Sequence, residues 1–327
     1  MRSWPGEVWM ERHQIILYLA AILGGCLLGL WLPAGKPVLE FTINPLIGLL
    51  LYATFLALPL GKLGDAFKDL KFLGALVLVN FLLVPVVVFG LSRFVQNDQA
   101  LLVGVLLVLL APCVDYVIVF TNIAGGAGHR LLAATPLLMI LQMLLIPAFI
   151  FLIMGPQAVE LFAPGKFLGA FLGLIVLPLV AATLTRFIAQ RAPQAGTVIS
   201  AAQWLMLPLM IATLAAVVGS QIALVANELQ QVIRVLPIFA AFAIIMAAVG
   251  TLVAKLSTSD IAAGRALIFS GITRNSLVVL PLALALPAQY DLAPTVVVTQ
   301  TLVELLCMLI LMRLVPKILR EPNPVRN

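Results

Sequence analysis

Charge is what this chain has least of. Only 10% of its 327 residues are Asp, Glu, Lys or Arg, against 63% hydrophobic, and mean hydropathy is +1.18. Such a balance excludes an ordinary soluble domain, which carries about a quarter charged residues. Polar stretches long enough to fold outside a membrane are missing too, so no extramembrane catalytic domain is expected. Cysteine is scarce. Cys26, Cys113 and Cys307 all lie in apolar runs, far apart, which excludes a disulfide framework and thiolate metal spacing. The two histidines, His13 and His129, flank apolar runs and have no ligand companion, so neither a metal nor a cofactor is expected. Basic residues exceed acidic ones, giving a net charge of +6. They are scattered singly rather than gathered into a stripe, which argues against nucleic acid and for a membrane.

What is there is apolar sequence in runs of spanning length. Windows of about 20 residues pick out ten candidate spans, at 14–32, 41–60, 72–92, 100–124, 131–154, 166–188, 197–219, 232–254, 262–286 and 295–314. With a cytoplasmic N-terminus, fourteen Lys and Arg fall on the inside, among them Lys62, Arg130, Arg186 and Arg265. Four fall outside, Lys36, Arg93, Lys166 and Arg234, and Arg274 completes the 19. This bias predicts a multi-pass protein of the cytoplasmic membrane with both termini inside. The first run lacks a small-residue cleavage site, so the N-terminal segment is expected to be retained.

Ten spans divide into five and five, residues 1–155 and 156–327, and an odd number per half inverts the second against the first. The expected fold is therefore all-α, with ten transmembrane helices in two inverted five-helix repeats forming one membrane domain. The fourth span of each half supports the division, because each is interrupted at mid-depth. Span four contains Ala111-Pro112-Cys113-Val114-Asp115-Tyr116, and span nine contains Ser270-Gly271-Ile272-Thr273-Arg274-Asn275-Ser276. Pro112 removes a backbone donor and Gly271 loosens the helix, freeing peptide groups where water is absent. Backbone of that kind persists in a bilayer only when buried in protein or lining a cavity. The two breaks thus nominate a central site at a crossing of discontinuous helices.

Three charged groups lie deep inside the spans, away from their ends: Asp115, Arg274 and Glu304. A charge at the bilayer centre costs about 2.5–3.5 kcal/mol on insertion scales, so each is expected to face a partner or a wet cavity. Asp115 and Arg274 are expected to pair, either as a clamp between the breaks or as an anion site held ready by Asp115. Glu304 has no second basic residue within the membrane and is the candidate proton carrier. Cys113 lies two residues before Asp115, where free amides and Arg274 favour a thiolate. Thr273, Asn275 and Ser276, with Thr121, Asn122, Gln142 and Gln300, are candidates for solute hydroxyls or for the freed backbone. The Gly125-Gly126-Ala127-Gly128 run has neither the Lys-Ser/Thr nor the preceding strand of a phosphate loop, and reads as the end of span four.

With Ala111-Pro112-Cys113, Thr273-Arg274-Asn275-Ser276 and Val303-Glu304 in view, the chain resembles the arsenite permeases grouped with the bile acid:sodium symporters. The resemblance implies a ten-helix inverted-repeat carrier that expels arsenite and antimonite, as a uniporter or in exchange for protons. It places the transport-associated cysteine on Cys113 and the late carboxylate on Glu304. Symporters of the bile acid type carry a carboxylate in the span-nine break to bind sodium, where this chain has Arg274, so sodium coupling is not expected. The alternative is an organic-anion carrier using Arg274. An intramembrane enzyme would need a nucleophile with its base or two facing aspartates, and only one intramembrane aspartate exists.

Overall fold

The structure is a computed structural model and describes residues 5–57, 69–113, 116–156, 158, 169, 172–189, 193–258 and 260–320. Among these residues the secondary structure is helical, and the one β-type pairing is an isolated bridge. The helices are α1 (Pro5–Trp31), α2 (Lys36–Ala57), α3 (Leu70–Leu78), α4 (Val84–Ser92), α5 (Gln99–Leu109), α6 (Tyr116–Ile123) and α7 (Gly128–Met154). After them come α8 (Leu177–Ala189), α9 (Pro193–Asn227), α10 (Leu229–Ser257), α11 (Ile261–Ile272), α12 (Ser276–Leu284) and α13 (Ala293–Ile318). Five described helical stretches are long and apolar enough to cross a bilayer, six if the bent α7 counts as one span. This is a multi-pass, all-helical membrane protein.

Proline explains the irregularities. α7 bends by 47° between Gly128–Gln142 and Leu144–Met154, next to Pro147, which cannot donate to the preceding turn. Two π-helical turns, Val79–Leu83 and Leu172–Val176, each end two residues before a proline, Pro85 and Pro178. The wider turn leaves room for a ring that would collide with the carbonyl four residues back.

The chain packs as two units, each drawing on both halves of the sequence. One comprises residues Met1–Leu58, Ala163–Gln230 and Leu280–Leu286; the other comprises Pro59–Phe162, Gln231–Val279 and Pro287–Asn327. In the first unit α1 packs on α9, α9 on α2, and α2 on α8. Gly25 and Gly29 face Ala215 and Gly219 closely enough that a Cβ built on Gly29 would lie 2.1 Å from the Gly219 carbonyl oxygen. Glycine is required there because the backbones nearly touch, as at other small-residue helix crossings in membranes. Tyr52 Oη and Thr185 Oγ1 share a 2.8 Å hydrogen bond between α2 and α8, and Arg186 donates to the Leu56 carbonyl.

The second unit holds the broken helices. α5 packs along α13, and α11 packs against α3, α6, α7 and α13. Asp69, Asp98 and Asp260 accept backbone N–H groups at the starts of α3, α5 and α11, satisfying donors a helix N-terminus leaves unpaired. Arg130 joins two of these caps, with Nη1 2.9 Å from Asp69 Oδ2 and Nη2 2.7 Å from Asp260 Oδ2. Arg265 is 8% exposed and donates to the carbonyls of Ala124, Gly125 and Leu319. The glycine run after α6 is therefore a packed turn: Gly125 has φ +67°, and a Cβ there would lie 2.7 Å from Arg265 Nη1.

Candidate functional site

Both breaks lie within the second unit. α5 stops at Leu109 and α6 begins at Tyr116; α11 stops at Ile272 and α12 begins at Ser276. Pro112 lies in the first gap, and Gly271 is the penultimate residue of α11. Between the helix ends the two extended segments pair antiparallel, Pro112 opposite Arg274. Cys113 N–H donates to the Thr273 carbonyl at 3.2 Å, and Asn275 N–H donates to the Ala111 carbonyl at 2.8 Å. Peptide groups released by one break are thereby satisfied by the other, as burial requires.

Arg274 completes this pairing with its side chain. It is fully buried, at 0% exposure. Its Nη1 donates to the Leu109 carbonyl at 3.3 Å, and its Nη2 donates to the Ser270 and Gly271 carbonyls at 2.6 and 3.0 Å and to Asn80 Oδ1 at 3.0 Å. The guanidinium carbon lies 5.5 Å from the centroid of the Phe242 ring. Asn80, equally buried, donates in turn to Ser270 Oγ and the Leu76 carbonyl. Neither Asn80 nor Phe242 was singled out by sequence reasoning. A lone amide in the apolar run 72–92 was the available signal for Asn80; a phenylalanine in a lipid-soluble helix gives none.

Glu304, on α13, is the single buried carboxylate among the described residues. It is not the partnerless group that its sequence setting suggested. Oε2 accepts the backbone N–H of Arg274 at 2.8 Å and the side-chain amide of Gln300. Thr273 donates through Oγ1 to the Phe269 carbonyl, and Asn275 Oδ1 accepts Val278 N–H at the start of α12. Cys113, Thr273, Arg274, Asn275, Ser276 and Glu304 are thus gathered at one crossing, each under 5% exposed. Asp115 lies outside the described residues.

Several polar atoms here are buried without a protein hydrogen-bond partner: Asn275 Nδ2, Ser276 Oγ and Gln300 Oε1. Thr121 Oγ1 and Gln142 Oε1, elsewhere in the unit, share that condition. A buried polar atom without a partner is costly, and a cluster of them at one place fits a polar solute.

A comparison with curated proteins finds no match. The family model of the sodium bile acid symporters matches residues 44–228. This covers α5, the Cys113 break and α6, and stops before α11, α12 and α13. The match spans more than half of the 327 residues, so this multi-pass membrane protein, a secondary transporter of the bile acid symporter type, belongs to the sodium bile acid symporter family.

Proposed function

We propose that the solute site is the crossing of the two broken helices, and that the solute is trivalent arsenite or antimonite, expelled in exchange for protons. The observation that carries this reading is the Pro112–Arg274 bridge, which fixes the Cys113 backbone opposite Thr273 in a buried polar setting. Trivalent arsenic is a soft centre and prefers thiolate to oxygen ligands. The Cys113 thiol exchanges with one As–OH, forming a single As–S bond and releasing water, and the reverse step frees the solute, where three such bonds would trap it. The hydroxyls of a neutral metalloid acid both donate and accept, which suits Asn275 Nδ2, Ser276 Oγ and Gln300 Oε1. Glu304 is assigned the coupling proton, and Asp115 is assigned to Arg274.

An organic-anion carrier would need the guanidinium for its solute. That group already donates to four oxygens of its own chain, and an anion would have to displace them. In this reading Arg274 positions the break and the solute is neutral. The surrounding architecture we propose is ten spans in two inverted halves, 1–155 and 156–327, in the cytoplasmic membrane with both termini inside.

Everted membrane vesicles test it directly. Arsenite is expected to accumulate in them when a pH gradient is imposed, with sodium replaced by choline throughout. Absence of metalloid flux, or flux that ceases without sodium, overturns the reading.

A further inference from the structure

The acceptors of Arg274 have something in common: three are carbonyls from the C-terminal turns of half-helices. Leu109 ends α5, and Ser270 and Gly271 lie in the last turn of α11. The last four carbonyls of a helix have no partner within it, and they carry the negative end of its dipole. Here two such ends converge in the protein interior. A guanidinium at 0% exposure lies among them, with the amide oxygen of Asn80 and the face of Phe242 around it. Carbonyl and amide oxygens with an aromatic face form the surroundings of a cation-binding site.

We infer that the Arg274 guanidinium is a tethered cation occupying a cation site formed by the C-terminal ends of α5 and α11, so that the site takes no mobile cation in the native protein and accepts a small cation once the side chain is removed. The inference rests on the reading of this crossing as the transport site only in what it says about coupling: a carrier with a resident cation here needs no sodium at this position. The site itself is defined by geometry and is independent of the solute.

A hydrogen-bonding side chain of this kind acts at two helix ends at once. Truncation takes the donor from the Leu109, Ser270 and Gly271 carbonyls and the Asn80 oxygen in a buried setting. Methylguanidinium has the same planar donors without the tether, and sodium has the charge and a taste for oxygen ligands.

Thermal unfolding of the purified full chain in detergent provides the test. The wild type is compared with Arg274→Ala in choline, sodium and methylguanidinium chlorides, at tens of millimolar and matched ionic strength. The wild type should unfold at the same temperature in all three. Arg274→Ala should unfold roughly 4–7 °C lower in choline, and recover at least half of that loss, saturably, in methylguanidinium or sodium. Arg274→Lys, which keeps one charge without the planar fork, should lie between the two and respond less to added cation. If Arg274→Ala cannot be purified, Arg274→Lys and the wild type carry the test. Saturable stabilisation of the wild type by sodium would show a mobile cation in use and overturn the inference. So would an alanine variant as stable as the wild type, or a destabilised one indifferent to both cations. Because unfolding is read without solute, rescue with no arsenite flux would sink the metalloid reading and leave this site standing; flux without rescue would do the reverse.

Discussion

The main-chain N–H of Arg274 donates to the carboxylate of Glu304 at 2.8 Å. One residue thus holds the span-nine break from two directions: its side chain faces the carbonyl ends of α5 and α11, and its backbone is held by α13. Charge and acceptor at position 304 are separable. Glu304→Gln keeps an oxygen for the Arg274 N–H but removes the titrating group. It should fold with an unfolding temperature near that of the wild type, lose tenfold or more of pH-driven arsenite flux, and show no dependence of the remainder on the imposed gradient. Glu304→Ala leaves a buried N–H without an acceptor and should cost about 1–3 kcal/mol as well. Flux by Glu304→Gln that still follows the pH gradient would remove Glu304 from the proton path.

Cys113 offers the sharpest contrast with its own kind. Its N–H is bonded to Thr273 and its residue is 1% exposed, whereas Cys26 and Cys307 are partly exposed along α1 and α13. Cys113→Ser is nearly the same size and keeps the backbone bond, so the fold should persist while arsenite flux in vesicles drops at least tenfold. Cys26→Ser and Cys307→Ser should transport as the wild type does. Full flux from Cys113→Ser would exclude direct thiolate ligation.

The breaks were legible because they violate local rules. Pro112 cannot continue a helix, and Arg274 cannot sit in lipid unpartnered, so each marked its span without reference to the fold. The pairing of those breaks by backbone hydrogen bonds was not legible, because main-chain donors look alike in every residue. Glu304 illustrates the same blindness: a peptide N–H and the Gln300 amide hold its carboxylate, and neither is marked in the sequence as a carboxylate's partner. Asn80 was missed for a different reason. Inside 72–92 a single amide is hidden among Leu, Val and Phe, yet it holds both Arg274 and Ser270. In the other unit, the close approach at Gly25 and Gly29 was not legible at all, because nothing along the chain says which helix will meet them.

Arg130 and Asp260 form an ion pair within the second unit, yet the two residues should not be equivalent to mutation. Arg130 is 30% exposed and its acidic partners 42%, so screening by solvent leaves its two bridges worth about 1 kcal/mol or less in all. Asp260 additionally caps α11 through Ala262 N–H and Ala263 N–H. Asp260→Ala should therefore lose about 0.5–2 kcal/mol beyond the ion pair. Unfolding of Arg130→Ala and Asp260→Ala in low and high salt separates the two contributions. High salt should erase most of the difference between Arg130→Ala and the wild type and little of that for Asp260→Ala; equal behaviour of the two variants would show that the cap contributes nothing.

Two glycines of α1 provide a matched pair for the helix crossing in the first unit. Around Gly24 a Cβ meets nothing within 4 Å, whereas at Gly29 it meets the Gly219 carbonyl oxygen at 2.1 Å, the Gly219 carbonyl carbon at 2.9 Å and Ile222 Cγ2 at 2.5 Å. The Cγ2 methyl of Ile222 can move with its side chain; a backbone carbonyl in α9 moves only if the helix moves. Gly29→Ala should cost at the upper end of the usual 1–3 kcal/mol for overpacking, and Gly29→Leu should prevent stable assembly of α1 on α9. Gly24→Ala should be neutral or slightly stabilising, since alanine is about 1 kcal/mol the better helix former. Unfolding temperatures of the three purified variants decide the matter. A Gly29→Ala protein as stable as Gly24→Ala would mean that α1 and α9 do not approach as closely as their backbones do here.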